Sequence, residues 1–330
     1  MQARRFALAA MAGACLCVIA AAMPQVAQAQ TYPTRAISLL VGFPAGGGFD
    51  TVMRALAEEM SKNLGHPVTV ENRPGASGAI ATQALVAAAA DGYTLLATGL
   101  QLATGPHLNK VSYNPQTDLV MVRQVSSVPV LLLTHAASPI KTGADIVALA
   151  KKNGNGVTIG TGGPGTTGHF GTFVVGTGLN VQTVHVPFRG GAPALTALAG
   201  GEVDLLFDQP SGAMQGMLDS KRVRVVALMQ ENPSSGLPGV KTAKEIGLPL
   251  ELELRGWQGI GVRGGTAAAI VKRLDAAVAA AAASPVFKAR LAGLGIDATG
   301  NVGPAEFQKH YLDELNRWGA FIKKYDIKAN

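Results

Sequence analysis

Residues 43–50 read FPAGGGFD. An apolar run at residues 36–41 leads into this stretch, and a helix-like run led by Asp50 follows it. Three consecutive glycines therefore stand where a strand hands over to a helix. Glycine adopts positive φ at little cost and has no side chain to hold a ligand off the backbone. Gly46, Gly47 and Gly48, flanked by Phe43, Ala45 and Phe49, are the expected wall of a small-anion site. Asp50 is expected first to cap the helix and second to touch ligand.

The same handover recurs along the chain. A strand at 68–70 runs into RPGASG (73–78), and one at 94–97 runs into Thr98 and Gly99. A long apolar strand at 128–134 ends before Pro139, and a new series begins. There, strands at 157–159, 184–186 and 203–207 end in GTGGPGTTGHF (160–170), PFRGGAP (187–193) and Asp208. A second long strand, 252–262, carries Trp257, and helices at 266–283, 285–294 and 304–325 close the chain. Short apolar runs alternating with helical segments specify an α/β fold with largely parallel strands. Three strand–loop–helix units, a crossing, three more units and a return imply two lobes. Residues 30–131 and 256–330 would form the first and residues 132–255 the second. Ligands of open α/β sheets bind outside the carboxyl ends of the strands, so six loops would line one cleft.

The N-terminus reads as a leader. Arg4 and Arg5 precede an apolar run at 6–22, and Ala27-Gln28-Ala29 fits a cleavage site. This pattern marks a secretory signal peptide cleaved after Ala29 and a periplasmic location. Both cysteines, Cys15 and Cys17, lie inside it, so no disulfide is expected in the exported chain. No later apolar run is long enough to span a membrane. The formal charge of +7 is scattered rather than clustered, which disfavours nucleic acid.

The residues that could carry chemistry narrow the function. Gly160 to Gly165 matches G-x-G-x-x-G, but the strand after it ends in Pro187-Phe188-Arg189, with no acidic residue for a ribose hydroxyl. Gly75-Ala76-Ser77-Gly78 places its second glycine one residue early for a nucleophile elbow. His107, His169 and His185 lack partners at metal-ligand spacing. What remains is a set of glycine loops at helix N-termini, where free N–H groups and partial positive charge suit a carboxylate or phosphate. Pro74, Gly75, Ala76, Ser77, Thr98, Gly99, Thr161, Gly162, Thr166 and His169 are the further candidates in those loops. Phe188 would cover an apolar ligand body, and Arg189 would pair with a carboxylate. Asp208 would take a ligand amine or hydroxyl, or would only cap. Neither a cofactor nor a metal is expected.

Four stretches, YPTRAISLLVGFPAGGGFD (32–50), VENRPGASGAIA (70–81), VHVPFRGGAPALTALAGGEVDLLFD (184–208) and the segment from Trp257 through DIK (326–328), carry a resemblance. They resemble the Bug, or TctC-type, periplasmic substrate-binding proteins of tripartite tricarboxylate transporters. The resemblance covers essentially the whole chain after the leader. It implies a type II periplasmic-binding-protein fold that closes by a hinge on a di- or tricarboxylate, an acidic amino acid or an aromatic carboxylate. In such proteins the first-lobe loops, here 43–48 and 74–78, grip one carboxylate and the second lobe sets specificity. It further implies a monomeric receptor, not an enzyme, that serves a two-component membrane permease. A sensor input for a signalling protein is the alternative, and an exported hydrolase the more distant one. Phe49 stands where relatives often carry a small or hydroxyl residue, and Arg189 where lysine is common. Phe49 and Leu100 point to a bulky, apolar ligand body.

Overall fold

The structure, a computed structural model, describes residues 32–154, 156–234 and 236–328. The leader and its cleavage site lie outside the described residues. From Arg35 onward the chain forms one compact unit built on two sheets.

The first sheet begins with β1 (Ile37–Val41), whose apolar run is almost wholly buried, as expected of a strand covered on both faces. It pairs in parallel with β2 (Val68–Asn72) and β3 (Thr94–Gly99). Between β1 and β2 runs α1 (Gly48–Leu64), which buries Val52, Met53, Leu56 and Met60 and stops at Gly65 in the left-handed region. After a single 3-10 turn, α2 (Ala79–Ala87) leads to β3. A short helix, α3 (Gln101–Leu108), follows β3 almost at once.

The second sheet repeats the plan. Its parallel core places β6 (Val157–Thr161) between β7 (Thr183–Pro187) and β8 (Leu205–Asp208). The helices α4 (Gly143–Asn153), α5 (Thr167–Leu179), α6 (Gly191–Gly200) and α7 (Gly212–Asp219) surround it. A reciprocal capping box, Thr142 with Asp145, starts α4.

Antiparallel strands complete both sheets. The chain leaves the first sheet along β4 (Leu119–Pro129) and enters the second as β5 (Leu131–His135), with Val130 between them. It ends its second-sheet course with β9 (Val223–Leu228) and returns along β10 (Arg255–Arg263). The strand orders are β11-β4-β10-β3-β1-β2, with β11 at Asp297–Ala298, and β7-β6-β8-β5-β9. The sheets are therefore mixed rather than largely parallel, because each strand that crosses between them must run against the βαβ units it joins. The apolar stretch 128–134, expected as one strand, is divided at Val130 between the two sheets.

At the crossing the main chain is laced. Met229 N–H donates to Val130 O at 2.9 Å, and Leu254 N–H donates to Met229 O at 3.0 Å. All three residues are buried. The terminal helices are α8 (Ala268–Ala283), α9 (Pro285–Ala292) and α10 (Pro304–Lys324), with Pro285 and Pro304 in their first turns. Helix α10 buries Phe307, Tyr311 and Trp318, and the Trp318 ring lies 4.4 Å from Phe170 of α5, so apolar packing runs through both halves. No described helix is long and apolar enough to cross a membrane.

Candidate functional site

The loop after β1 shows how sequence shapes the site. Gly46 takes φ 85°, which places the turn where only glycine is free of strain. Gly47 is the extended N-cap of α1 and supplies no side chain, so the first-turn N–H groups are left for other partners. Asp50 is not the cap. It sits inside α1, 2 % exposed, and its carboxylate reaches backwards. Oδ2 accepts from Gly46 N–H at 3.0 Å and from Arg54 Nε at 2.8 Å, and Oδ1 accepts from Asn72 Nδ2 at 2.8 Å. Asn72 also donates to Phe43 O at 2.9 Å. Burial pushes this carboxyl upward, but the hydrogen bonds from Arg54, Asn72 and Gly46 together hold it below its ordinary value. Asp50 thus braces the glycine loop from behind.

Loops from the carboxyl ends of all six parallel strands meet and enclose two adjoining cavities. The inner one, of about 80 Å³, is walled by Phe43, Phe49, Leu100, Phe207 and Trp257. Polar groups enter it from Gln101, Thr166, Thr167, Asp208 and Gln209, and Gly47, Gly48, Gly162 and Gly168 bring main chain to its edge. The outer one, of about 580 Å³, takes Pro74, Gly75, Ala76 and Ser77 from the loop after β2 and Phe188 and Arg189 from the loop after β7. Phe43, Gly162 and Gly190 border both. Helices α1, α3 and α6 start there without a side-chain cap, at Gly47, Leu100 and Gly190. Each such end offers unpaired donors and partial positive charge, worth about 0.3–1 kcal/mol to an anion and up to ~2 when partly buried.

The two halves are in contact across these cavities. Thr104 Oγ1 donates to Gly165 O at 2.7 Å, Ser77 Oγ donates to Pro164 O, and Gln258 Nε2 donates to Gln209 Oε1 at 3.3 Å. A Cβ on Gly48 would lie 2.6 Å from Pro210 O, and one on Gly190 would lie 3.1 Å from Pro44 Cδ. The cleft is therefore closed, and it closes on glycines because any side chain would hold the halves apart.

Several residues expected at the site stand elsewhere. Ala45, Gly46 and Asp50 line a separate hollow beside Arg54 and Arg290. Thr98 is wholly buried, and its hydroxyl finds no hydrogen-bond partner among the described residues. Gly99 makes room for the Phe49 ring, since its Cβ would lie 2.7 Å from Phe49 Cε2. Thr161 Oγ1 accepts from Gly163 N–H at 3.2 Å and lies 2.7 Å from His185 Nε2. His169 is buried behind the loop, where Nδ1 accepts from Gly165 N–H at 3.1 Å and the ring stacks on His185 at 4.4 Å. Burial holds both imidazoles down to about 4, with His185 adding to the shift of His169. These residues shape the loops and touch neither cavity.

The sequence reading did not single out Gln101 and Gln209, which follow β3 and β8, or Phe207 near the end of β8, nor assign Trp257 a place in the wall. Gln101 and Gln209 are uncharged amides without a motif. Position after a strand's carboxyl end is the one signal that marks them.

Comparison with known proteins fits this geometry. A family model described as TctC, "Tripartite tricarboxylate transporter family receptor", matches residues 52–327. A Cupriavidus necator protein, "UPF0065 protein in gbd 5'region", is 36% identical over 249 residues, covering 75% of this chain and 76% of its own. Among solved structures, the periplasmic binding protein BugD superimposes with TM-score 0.83 at 31% identity over 90% of this chain and 99% of its own. Rpa4515 of R. palustris, solved with adipate, gives TM-score 0.84 at 30% identity over 90% and 99%. MatC (Rpa3494) from Rhodopseudomonas palustris, with bound malate, gives 0.79 at 30% over 88% and 99%.

Proposed function

The chain belongs to the TctC family of tripartite tricarboxylate transporter receptors, and from that premise we propose that it captures a small organic carboxylate between its two sheets and delivers it to a two-component membrane permease. Proteins of this family are periplasmic solute-binding receptors. Relatives hold malate and adipate, and a carboxylate is the ligand class we assign here. The observation that carries the reading is the convergence of three helix N-termini, all without side-chain caps, on the adjoining cavities. In the proposed cycle the loops 43–48 and 74–78 receive the carboxylate in an open cleft. The second-sheet loops then swing in, and the contacts through Thr104, Ser77 and Gln258 hold the closed form for the permease.

Binding to the folded state alone stabilises a protein, by about 2.7 kcal/mol at a hundredfold excess over Kd. A thermal-shift screen of mono-, di- and tricarboxylates, aliphatic and aromatic, is expected to raise the melting temperature with a subset of them. Gly47→Val is the paired test. Gly47 has φ −74°, and a Cβ there would meet Pro44 O at an ordinary contact distance of 3.8 Å, so the variant folds while its side chain obstructs the loop. The hit found with wild type should no longer shift it. A variant that binds that hit as tightly as wild type would remove the loop from the site.

A further inference from the structure

A third cavity, of about 220 Å³, lies beside the returning crossing. Glu253, Arg255 and Trp257 line it from the return segment, Ser127 from β4, and His310, Glu314 and Arg317 from α10. It far exceeds the share of a single water, about 30 Å³. Trp257 borders both this side cavity and the inner cavity of the cleft. We propose that the side cavity is a second binding site, for a small uncharged molecule carrying hydroxyl or amide groups, and that through Trp257 its occupancy tunes the cleft. The tuning rests on the carboxylate-receptor reading above, whereas the site itself does not.

Two buried polar atoms in its lining go unsatisfied. Trp257 is 3 % exposed, and its ring stands edge-on to Phe307 and His310 of α10, at 5.4 and 5.6 Å. Among the described residues, neither Trp257 Nε1 nor His310 Nε2 has a hydrogen-bond partner. Buried polar groups are costly when unpaired, so an occupant that meets both is favoured. The indole can only donate. Burial holds the imidazole below its ordinary value, so the ring is neutral and Nε2 donates or accepts by tautomer. Hydroxyls and primary amides fit such a pair, because each donates and accepts at once. The charges argue against an ion. The lining sets Glu253 and Glu314 against Arg255 and Arg317. Arg317 is paired with Glu314 at 2.7 Å, and Arg255 with Asp297 at 3.3 Å. Glu253 Oε1 accepts from Glu231 N–H at 2.8 Å. A charged occupant would find no surplus of opposite charge to offset its dehydration. Position gives the site its effect. Glu253 and Arg255 flank Leu254, whose N–H is bonded to Met229 O, so an occupant lies against the segment that joins the two sheets.

The test is an NMR titration of the purified protein, labelled with the heavy nitrogen isotope at its tryptophan indoles. The chain has two tryptophans. Trp318 Nε1 already donates to Glu314 Oε2 at 3.0 Å and serves as the internal reference. Trp257→Phe identifies the Trp257 signal by its loss. Glycerol or acetamide, or both, should move the Trp257 indole proton downfield along a saturable curve. Acetamidinium, a cation of the same shape as acetamide, should leave it in place. His310→Phe keeps a ring beside Trp257, and Ser127→Val suits a strand while narrowing the cavity. Each should weaken solute binding about tenfold or more, equivalent to about 1.4 kcal/mol. With the solute at saturation, the Kd of the cleft for the hit of the thermal screen should change about twofold or more, and that hit should change the solute's Kd by the same factor. The site is overturned if neither solute gives a saturable shift, or if acetamidinium binds as tightly as acetamide. It is equally overturned if either variant, once folded, keeps full binding, since the solute then sits elsewhere. A saturable shift with an unchanged cleft overturns the tuning alone. If no carboxylate of the wider screen binds, the carboxylate-receptor reading fails, and the indole titration still decides the site.

Discussion

Single residues carry the tension between stability and site. Asp50 joins Gly46, Arg54 and Asn72 from the interior of α1, and through Asn72 it steadies Phe43 at the cavity wall. Asp50→Ala removes the buried carboxylate on which these donors converge and returns them to water, a loss of about 0.5–1.5 kcal/mol for a hydrogen bond of this kind. Urea unfolding should show that loss, with the ligand hit of the thermal screen binding more weakly because the loop is no longer braced. The sequence reading named Asp50 as a cap, and its position after three glycines supported that. The true role depends on Asn72, more than twenty residues away, and no local pattern announces such a partner. His169 was drawn into the expected site for the same reason. It lies in a glycine-rich loop, but its ring turns away from the cleft toward His185.

At the scale of elements, sequence and structure agree where periodicity or capping chemistry is strong. The apolar runs of β1 and β3, the amphipathic stripe of α1 and the proline starts of α9 and α10 were all legible. Strand β9 and helix α7 were not, because VRVVAL follows a basic turn without a glycine loop and GAMQGMLD carries two helix-weakening glycines. Residues 101–108, to which the sequence reading assigns no element, form α3, whose Leu102 and Ala103 are buried in the core. The packing of elements supplies its own prediction. Gly171 in α5 lies against the Phe207 ring, where a Cβ would come within 2.6 Å of Cδ2. Gly171→Ala should destabilise by about 1–3 kcal/mol through overpacking, measured by denaturant midpoint. Phe207 also faces the inner cavity, so a change in ligand affinity should accompany the loss.

The whole molecule responds to pH through two opposed sites. His169 and His185 are held neutral in the fold, down to about 4 from an ordinary 6.5. Their contribution to stability is complete above about pH 6.5 and is lost as pH falls toward 4. Asp208 has the reverse sign, because its folded value of about 7 exceeds the ordinary 3.8. Its contribution is complete below 3.8 and is lost as pH rises through 7. In Asp208→Asn the opposing slope disappears. Denaturant midpoints from pH 4 to 8 should therefore fall more steeply on acidification than in wild type, with the variant the more stable of the two at pH 8.

Closure also belongs to the whole molecule, and the lacing at the crossing sets its character. Val130, Met229 and Leu254 lie side by side, joined by two backbone hydrogen bonds. In the proposed cycle, a strap of this kind would favour bending over shear. A longer ligand would then register as a wider angle between the two sheets, so that molecular length would be encoded as a degree of opening rather than as a different surface.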